Sequence, residues 1–172
     1  MSGVISSILW VRESVPDLGR HRSGSAEQRV PTKGRTFMST AATMLDSYPK
    51  DLDGVDTGKL AACIEACIEC AQACTACADA CLSEDSVAEL IKCIRTDLDC
   101  ADICETTGRV LSRHTGYDAD LTRSVLETCA AACKSCGDEC AQHASRHAHC
   151  KTCADACRRC EQACRDLIGS LG

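Results

Sequence analysis

The residues of this chain most able to do chemistry are its 18 cysteines. Thiolates are nucleophiles, redox-active groups and soft metal ligands, so the set could exchange disulfides or bind metal ions. The set, called the cysteine ladder here, consists of Cys63, Cys67, Cys70, Cys74, Cys77, Cys81, Cys93, Cys100, Cys104, Cys129, Cys133, Cys136, Cys140, Cys150, Cys153, Cys157, Cys160 and Cys164. Alternating steps of three and four residues are the a/d spacing of a coiled coil. We therefore predict that every thiol faces one shared interior.

Four long helical patterns carry the ladder, and no proline follows Pro49. We predict helices over about 57–82, 85–113, 118–143 and 150–168, with Asp118 as a cap. The polar run 83–86 supplies cap candidates for the second of them. Long helices with short links predict an all-α, up-down-up-down four-helix bundle with a cysteine-lined interior. A short N-terminal helix is expected over 40–48, because the residue before a proline avoids helical geometry.

Three segments follow from this pattern. Residues 1–37 contain two of the three prolines and no periodicity, so we interpret them as a disordered leader. A further hypothesis is that the natural start is Met38 and that the leader reflects a wrongly assigned start. Residues 38–58 are then the short helix and a link, and residues 57–172 are the four-helix bundle.

Composition excludes several classes of protein. The net charge is −6 and aromatic residues make up 2% of the chain, so neither phosphate attraction nor base stacking is available and nucleic acid is not expected as a partner. No run of 18 apolar residues indicates a membrane span. No signal sequence is recognisable, so we expect a cytoplasmic protein with reduced thiols. Phosphate-binding loops and serine elbows are absent, and we predict no enzymatic activity.

Four uses of the thiols compete. Eighteen cysteines on one seam are too many to be only small hydrophobic residues, and neighbouring helical positions fit disulfide geometry poorly. Five CxxC pairs occur, but all lie within helices, and tetrahedral zinc or iron–sulfur sites would bury net negative charge. Cu(I) accepts two or three thiolates, so its charge can match theirs. The pattern favours multiple Cu(I) ions per chain, with zinc, an iron–sulfur cluster or disulfides as alternatives.

Further metal ligands are predicted beside the thiols. Asp97 occupies the rung between Cys93 and Cys100, so it should face the interior, either contacting metal or paired with lysine or water at an end of the bundle. His143 and His147 continue the ladder steps beyond Cys140, and His149 is an additional candidate. Imidazole is a copper ligand, and a histidine cluster at one mouth suits the capture of arriving ions.

These patterns resemble a known family. The CxxxCxxC spacing of Cys63–Cys81, the stretch Cys93–Cys104 and the histidine-rich turn before Cys150 are similar to those of bacterial cytosolic copper storage proteins. The resemblance implies a four-helix bundle that stores many Cu(I) ions, a homotetramer, and a ligand role for all 18 cysteines. The surplus of apolar residues outside the ladder also favours a homo-oligomer, and a copper chaperone is a candidate partner.

Two other functions remain open from the sequence. One is a thiol–disulfide redox protein, for which Cys150 near a helix N-terminus is the best candidate nucleophile. The other is a general sink for soft metals such as zinc or cadmium.

Overall fold

A computed structural model describes residues 39–52 and 54–171 of the chain. The predicted leader over 1–37 lies outside the described residues. The helices are α1 (Thr40–Asp46), α2 (Thr57–Leu82), α3 (Ile91–Leu111), α4 (Ala119–His143) and α5 (Ala148–Ile168), with a 3-10 turn at Val87–Glu89. The described residues contain no strand.

Helices α2 to α5 form the predicted four-helix bundle. Each packs against its two neighbours in a closed ring, in the order α2, α3, α4, α5 and back to α2. Short links between consecutive helices make the topology up-down-up-down. Helix α1 packs against the outside of α2.

Polar caps set several helix starts. The side chain of Asp118 accepts a hydrogen bond from the backbone N–H of Leu121 at 2.9 Å, as predicted for the start of α4. Asp56 does the same for Lys59 at 3.0 Å at the start of α2. These carboxylates satisfy amide groups that have no partner within the helix.

The second helix of the bundle begins later than predicted. Residues 83–90 form a turn and the 3-10 segment instead, and α3 starts at Ile91 without a side-chain cap. The reason is Leu90, which occupies the N-cap position and is fully buried. Apolar burial of Leu90 fixes this helix start in place of a polar cap. Smaller differences occur elsewhere, since α1 ends at Asp46 and α5 begins at Ala148.

The two ends of the bundle differ in polarity. The end that holds the start of α2 and the end of α5 is filled by buried leucines, namely Leu60, Leu111 and Leu167. The opposite end, where α4 stops and α5 starts, holds His143, His147 and His149. We call these the leucine end and the histidine end.

Helix α2 is long and apolar enough to cross a membrane, with an 18-residue window of mean hydropathy 1.4. Its apolarity comes from cysteine, alanine and isoleucine, and its cysteines are buried in the bundle. The core helix of a bundle meets the same criterion, so the packing accounts for this composition.

Core packing outside the ladder can be tested with two leucines of α4. Leu126 is fully buried, so Leu126→Ala should lower the free energy of unfolding of the metal-free protein by about 2–5 kcal/mol. Leu121 is 54% exposed, and Leu121→Ala should change it by about 0.5 kcal/mol or less. Urea unfolding followed by circular dichroism in reducing buffer measures both. Equal losses of unfolding free energy for the two substitutions would contradict the burial of Leu126 in the core.

Candidate metal centre

The bundle interior is lined by sulfur. All 18 cysteines are free and buried. Thiols from different helices approach closely, with Sγ–Sγ distances of 3.4 Å for Cys104 and Cys133 and 3.5 Å for Cys74 and Cys153. The predicted shared interior is therefore confirmed.

Sets of four thiols lie close enough to share a metal ion. Within each set, every Sγ atom is within 4.8 Å of the others. Proceeding from the leucine end, the sets are Cys67, Cys129, Cys160 and Cys164; Cys70, Cys104, Cys133 and Cys160; Cys70, Cys74, Cys100 and Cys157; and Cys74, Cys136, Cys153 and Cys157. Each set shares at least one thiol with the next. The result is one continuous column of thiols, called the thiol column here.

Small residues allow the helices to approach closely enough for thiols of different helices to meet. Alanine is frequent between the cysteines of α2, so few bulky groups separate the helices. On α4, a Cβ atom added to Gly137 would lie 3.2 Å from the Cβ of Cys157 on α5. That contact is tighter than side chains normally allow, so glycine permits the close approach of α4 and α5.

Asp97 lies inside the column, at the rung its sequence position predicts. It is fully buried. Its Oδ1 accepts hydrogen bonds from the thiols of Cys136 at 2.9 Å, Cys140 at 3.2 Å and Cys153 at 3.4 Å. Burial, reinforced by the neighbouring Cys153, raises the pKa of Asp97 to about 6. Its partners are thiols, and neither lysine nor a bundle-end position accounts for this carboxylate.

His149 closes the column at the histidine end. Its Nδ1 lies 3.5 Å from the Sγ atoms of both Cys77 and Cys150, and 3.9 Å from that of Cys81. These three thiols and the imidazole form a further set with ligand atoms within 4.8 Å of one another. On the other side of the ring, Nε2 lies 3.0 Å from Oε1 of Glu84.

The other two histidines contact carboxylates. Nδ1 of His147 lies 2.8 Å from the same Oε1 of Glu84. His143 is buried, and neither of its ring nitrogens has a hydrogen-bond partner among the described residues. Its Nε2 lies 3.5 Å from Glu139, which also pairs with Lys92. A buried imidazole whose nitrogens have no hydrogen-bond partner keeps one nitrogen lone pair free for an incoming ion.

The sequence favours His143 and His147 as ligands over His149, but in the structure His149 is the histidine that contacts the thiols. Counting ladder steps beyond Cys140 favours His143 and His147, but α4 ends at His143 and the helical periodicity ends with it. His147 is the N-cap of α5 with extended backbone angles, φ −128° and ψ 110°. His149 lies within the first turn of α5, and its imidazole meets the thiols. The sequence indicates Glu84 only as a cap candidate and does not predict its contacts with His147 and His149.

The thiol of Cys81, near the histidine end, is held protonated in the metal-free protein. Burial raises the pKa of Cys81 to about 11, with the neighbouring Cys150 as the next cause. Metal ions bind thiolates, so loading must release protons. Hydrogen bonds from His149 and His147 hold the pKa of Glu84 below its ordinary value, and its carboxylate is charged at neutral pH.

Comparison with known proteins identifies this arrangement. A family model described as copper storage protein matches residues 56–169, which include all four bundle helices. The chain belongs to the copper storage protein family. The fold and the cysteine ladder are thus those of a copper storage protein, and the resemblance seen in the sequence is confirmed.

Similar members have been solved with copper. The copper storage protein Ccsp of Streptomyces lividans, loaded with 10 copper equivalents, is 64% identical, with a TM-score of 0.76 over 77% of this chain and all of that one. The Cu(I)-bound copper storage protein BsCsp3 of Bacillus subtilis is 40% identical, with a TM-score of 0.56 over 62% of this chain and 95% of that one. The cysteine-rich protein YhjQ of B. subtilis is 41% identical over 106 residues, covering 62% of this chain and 93% of that protein.

The buried carboxylate gives the metal-free copper storage protein a specific pH dependence. The pKa of Asp97 is about 6 when folded against an ordinary value of 3.8, so folding favours the protonated form. Its contribution to stability is fully present below pH 3.8 and is lost as pH rises to about 6. Between pH 4 and 7, wild-type protein should lose about 2 kcal/mol of unfolding free energy relative to Asp97→Asn. Urea unfolding with chelator present measures this difference, and parallel pH profiles would contradict it.

Proposed function

We propose that this chain stores and buffers copper in the cytoplasm, as many Cu(I) ions bound by thiolates inside its bundle. The observation that carries the proposal is the thiol column, in which buried, free thiols form overlapping sets, with a further set of three thiols and His149 at the histidine end. Copper bound to two similar proteins, Ccsp and BsCsp3, supports it.

Overlap between the sets favours Cu(I) over zinc. Zinc requires four ligands, and a site of four thiolates carries two negative charges that the interior cannot disperse. Cu(I) accepts two or three soft ligands, and one thiolate can serve two ions. Because Cys70, Cys74, Cys157 and Cys160 each belong to two sets, sharing is built into the column. Sharing lets the number of positive ions approach the number of thiolates.

The proposed ligands are the 18 cysteines, with Asp97, His143, His147 and His149 as additional ligands. Residues 57–172 form the copper-binding domain, with 38–58 as a helix and link outside it. Ions enter at the histidine end, because the imidazole of His149 contacts the outermost thiols there, whereas Leu60, Leu111 and Leu167 fill the leucine end. From the histidines they move inward by exchange between neighbouring thiols, and each exchange releases a proton.

A homotetramer is the proposed assembly, and a copper chaperone is the proposed donor or acceptor. Support for association comes from apolar side chains outside the bundle core, such as Met44, Ile68, Ile91 and Leu98, all of which are exposed in the single chain. Met44 and Ile68 lie together in a groove of about 600 Å³ between α1 and α2.

No catalytic role is proposed for any residue. A thiol–disulfide enzyme would need one privileged nucleophile, and Cys150 at the start of α5 is the candidate. Cys150 instead shares its surroundings with His149, Cys77 and Cys81 in one ligand set. A general sink for zinc or cadmium would use the same thiols, and competition between metals separates it from copper storage.

Anaerobic titration of the reduced protein tests the proposed function. Cu(I) supplied against a competing chelator should load to about 10–20 ions per chain, whereas zinc should reach only a few. Cys133→Ser removes a buried thiol near the middle of the column and should lower the copper capacity by about one or two ions. Ser135→Ala, an exposed position two residues away, is the matched control and should change nothing.

Two results would contradict copper storage. One is saturation of the wild-type protein after one or two ions. The other is complete loss of function on a single substitution such as Cys150→Ser, which is the behaviour of an enzyme nucleophile.

A further inference from the structure

Glu84 links the two chain connections at the histidine end. It follows α2, and its backbone N–H donates to the carbonyl of Cys81 at 3.3 Å while its own carbonyl accepts from Val87 at 3.1 Å. The side chain reaches across to the start of α5. There a single oxygen, Oε1, lies 2.8 Å from Nδ1 of His147 and 3.0 Å from Nε2 of His149.

This contact determines which nitrogen of His149 can bind a metal ion. An ionised carboxylate only accepts hydrogen bonds, so Nε2 of His149 must carry the proton that it donates to Glu84. In a neutral imidazole the other nitrogen, Nδ1, then has a free lone pair. That lone pair is directed at the thiols of Cys77 and Cys150, at 3.5 Å from each. It can accept a thiol S–H in the metal-free protein or bind Cu(I) in the loaded one.

The same contact also limits how the ring can move. His149 is held on one side by Glu84 and on the other by three thiols, so rotation of the imidazole would break one set of contacts or the other. Metal-binding histidines depend on such partners for tautomer and ring orientation, and losing the partner typically costs 10–100-fold in affinity or activity.

We propose that Glu84 is a positioning residue for copper uptake: its carboxylate holds His149 as the Nε2–H tautomer with Nδ1 facing the outermost thiols. This inference rests on the proposed function, because the ion to be captured is Cu(I). Glu84 itself need not touch the metal. Its effect is to keep the first imidazole–thiol set of the column ready for an arriving ion.

The chain offers a matched control on the same connection. Glu89 lies five residues beyond Glu84 and pairs with Arg146 at 3.0 Å, which also joins the α2–α3 connection to the α4–α5 connection. Its carboxylate contacts neither a histidine nor a thiol among the described residues. Glu89→Ala therefore removes a cross-connection ion pair without disturbing His149, while Glu84→Ala removes the positioning contact.

The tautomer can be measured directly in the metal-free protein. Nitrogen-15 chemical shifts of the imidazoles, recorded at a pH where they are neutral, should show His149 as the Nε2–H form in wild-type protein and in Glu89→Ala. Glu84→Ala should give a mixture of tautomers. A wild-type His149 with its proton on Nδ1, or an unchanged tautomer in Glu84→Ala, would overturn the proposal.

The consequence for uptake is measured with Cu(I) supplied as its bicinchoninate complex, by following the loss of the complex's colour in a stopped-flow instrument. Loading of Glu84→Ala should be about 10-fold slower than wild type or more, and loading of Glu89→Ala should stay within about twofold. Total copper capacity should change little in either variant. Equal loading rates for the two variants would overturn the proposal.

Different results would contradict the proposed function and the positioning role of Glu84. If wild-type protein binds only one or two copper ions, the proposed function fails, whatever the variants do. If wild-type protein loads fully but Glu84→Ala loads like Glu89→Ala, copper storage stands and the positioning role of Glu84 is wrong.

Discussion

Buried thiols packed within about 4 Å of one another are the constraint on which this structure depends. A protonated thiol is a small, weakly polar group, so a bundle can be built around thiols as it is built around leucine. A thiolate in the same place is a buried charge, and a column of thiolates would repel itself. Each sulfur in the column therefore needs either a proton or a neighbouring cation to neutralise it.

The remaining features follow from that constraint. Alanine and Gly137 bring the helices close enough for thiols of different helices to meet, and buried leucines outside the column supply the packing that sulfur does not. Buried leucines fill the leucine end, whereas the histidine end provides imidazoles backed by carboxylates. In the proposed function, the polar groups at the histidine end would give copper entry its direction.

Asp97 is the exception within the column and shows the cost of charge there. Its carboxylate is surrounded by thiols, and burial raises its pKa to about 6. Surrounding thiols donate to it, which partly offsets the loss of water. A cation in this region would favour the ionised form, so ion binding below about pH 6 would release the Asp97 proton together with those of the thiols.

Much of the fold could be predicted because its signals are local. The heptad spacing of the cysteines fixes which face of each helix is buried, and α2 has the predicted bounds, Thr57–Leu82, while α4 starts next to its predicted cap. The start of α3 could not be predicted this way, because Leu90 acts through tertiary burial rather than through a cap. Glu84 lies in the connection between α2 and α3 and His149 in the first turn of α5, and no spacing in the sequence shows that they meet.

The central claim, that cuprous ions occupy the column between the helices, is tested most directly by anomalous diffraction at the copper absorption edge from crystals of the loaded protein. The account predicts a row of copper peaks along the bundle axis, from the set containing Cys164 to the set containing His149, within a bundle whose helices keep their present arrangement. Copper confined to surface carboxylates and histidines, with the thiol column empty or cross-linked by disulfides, would contradict it.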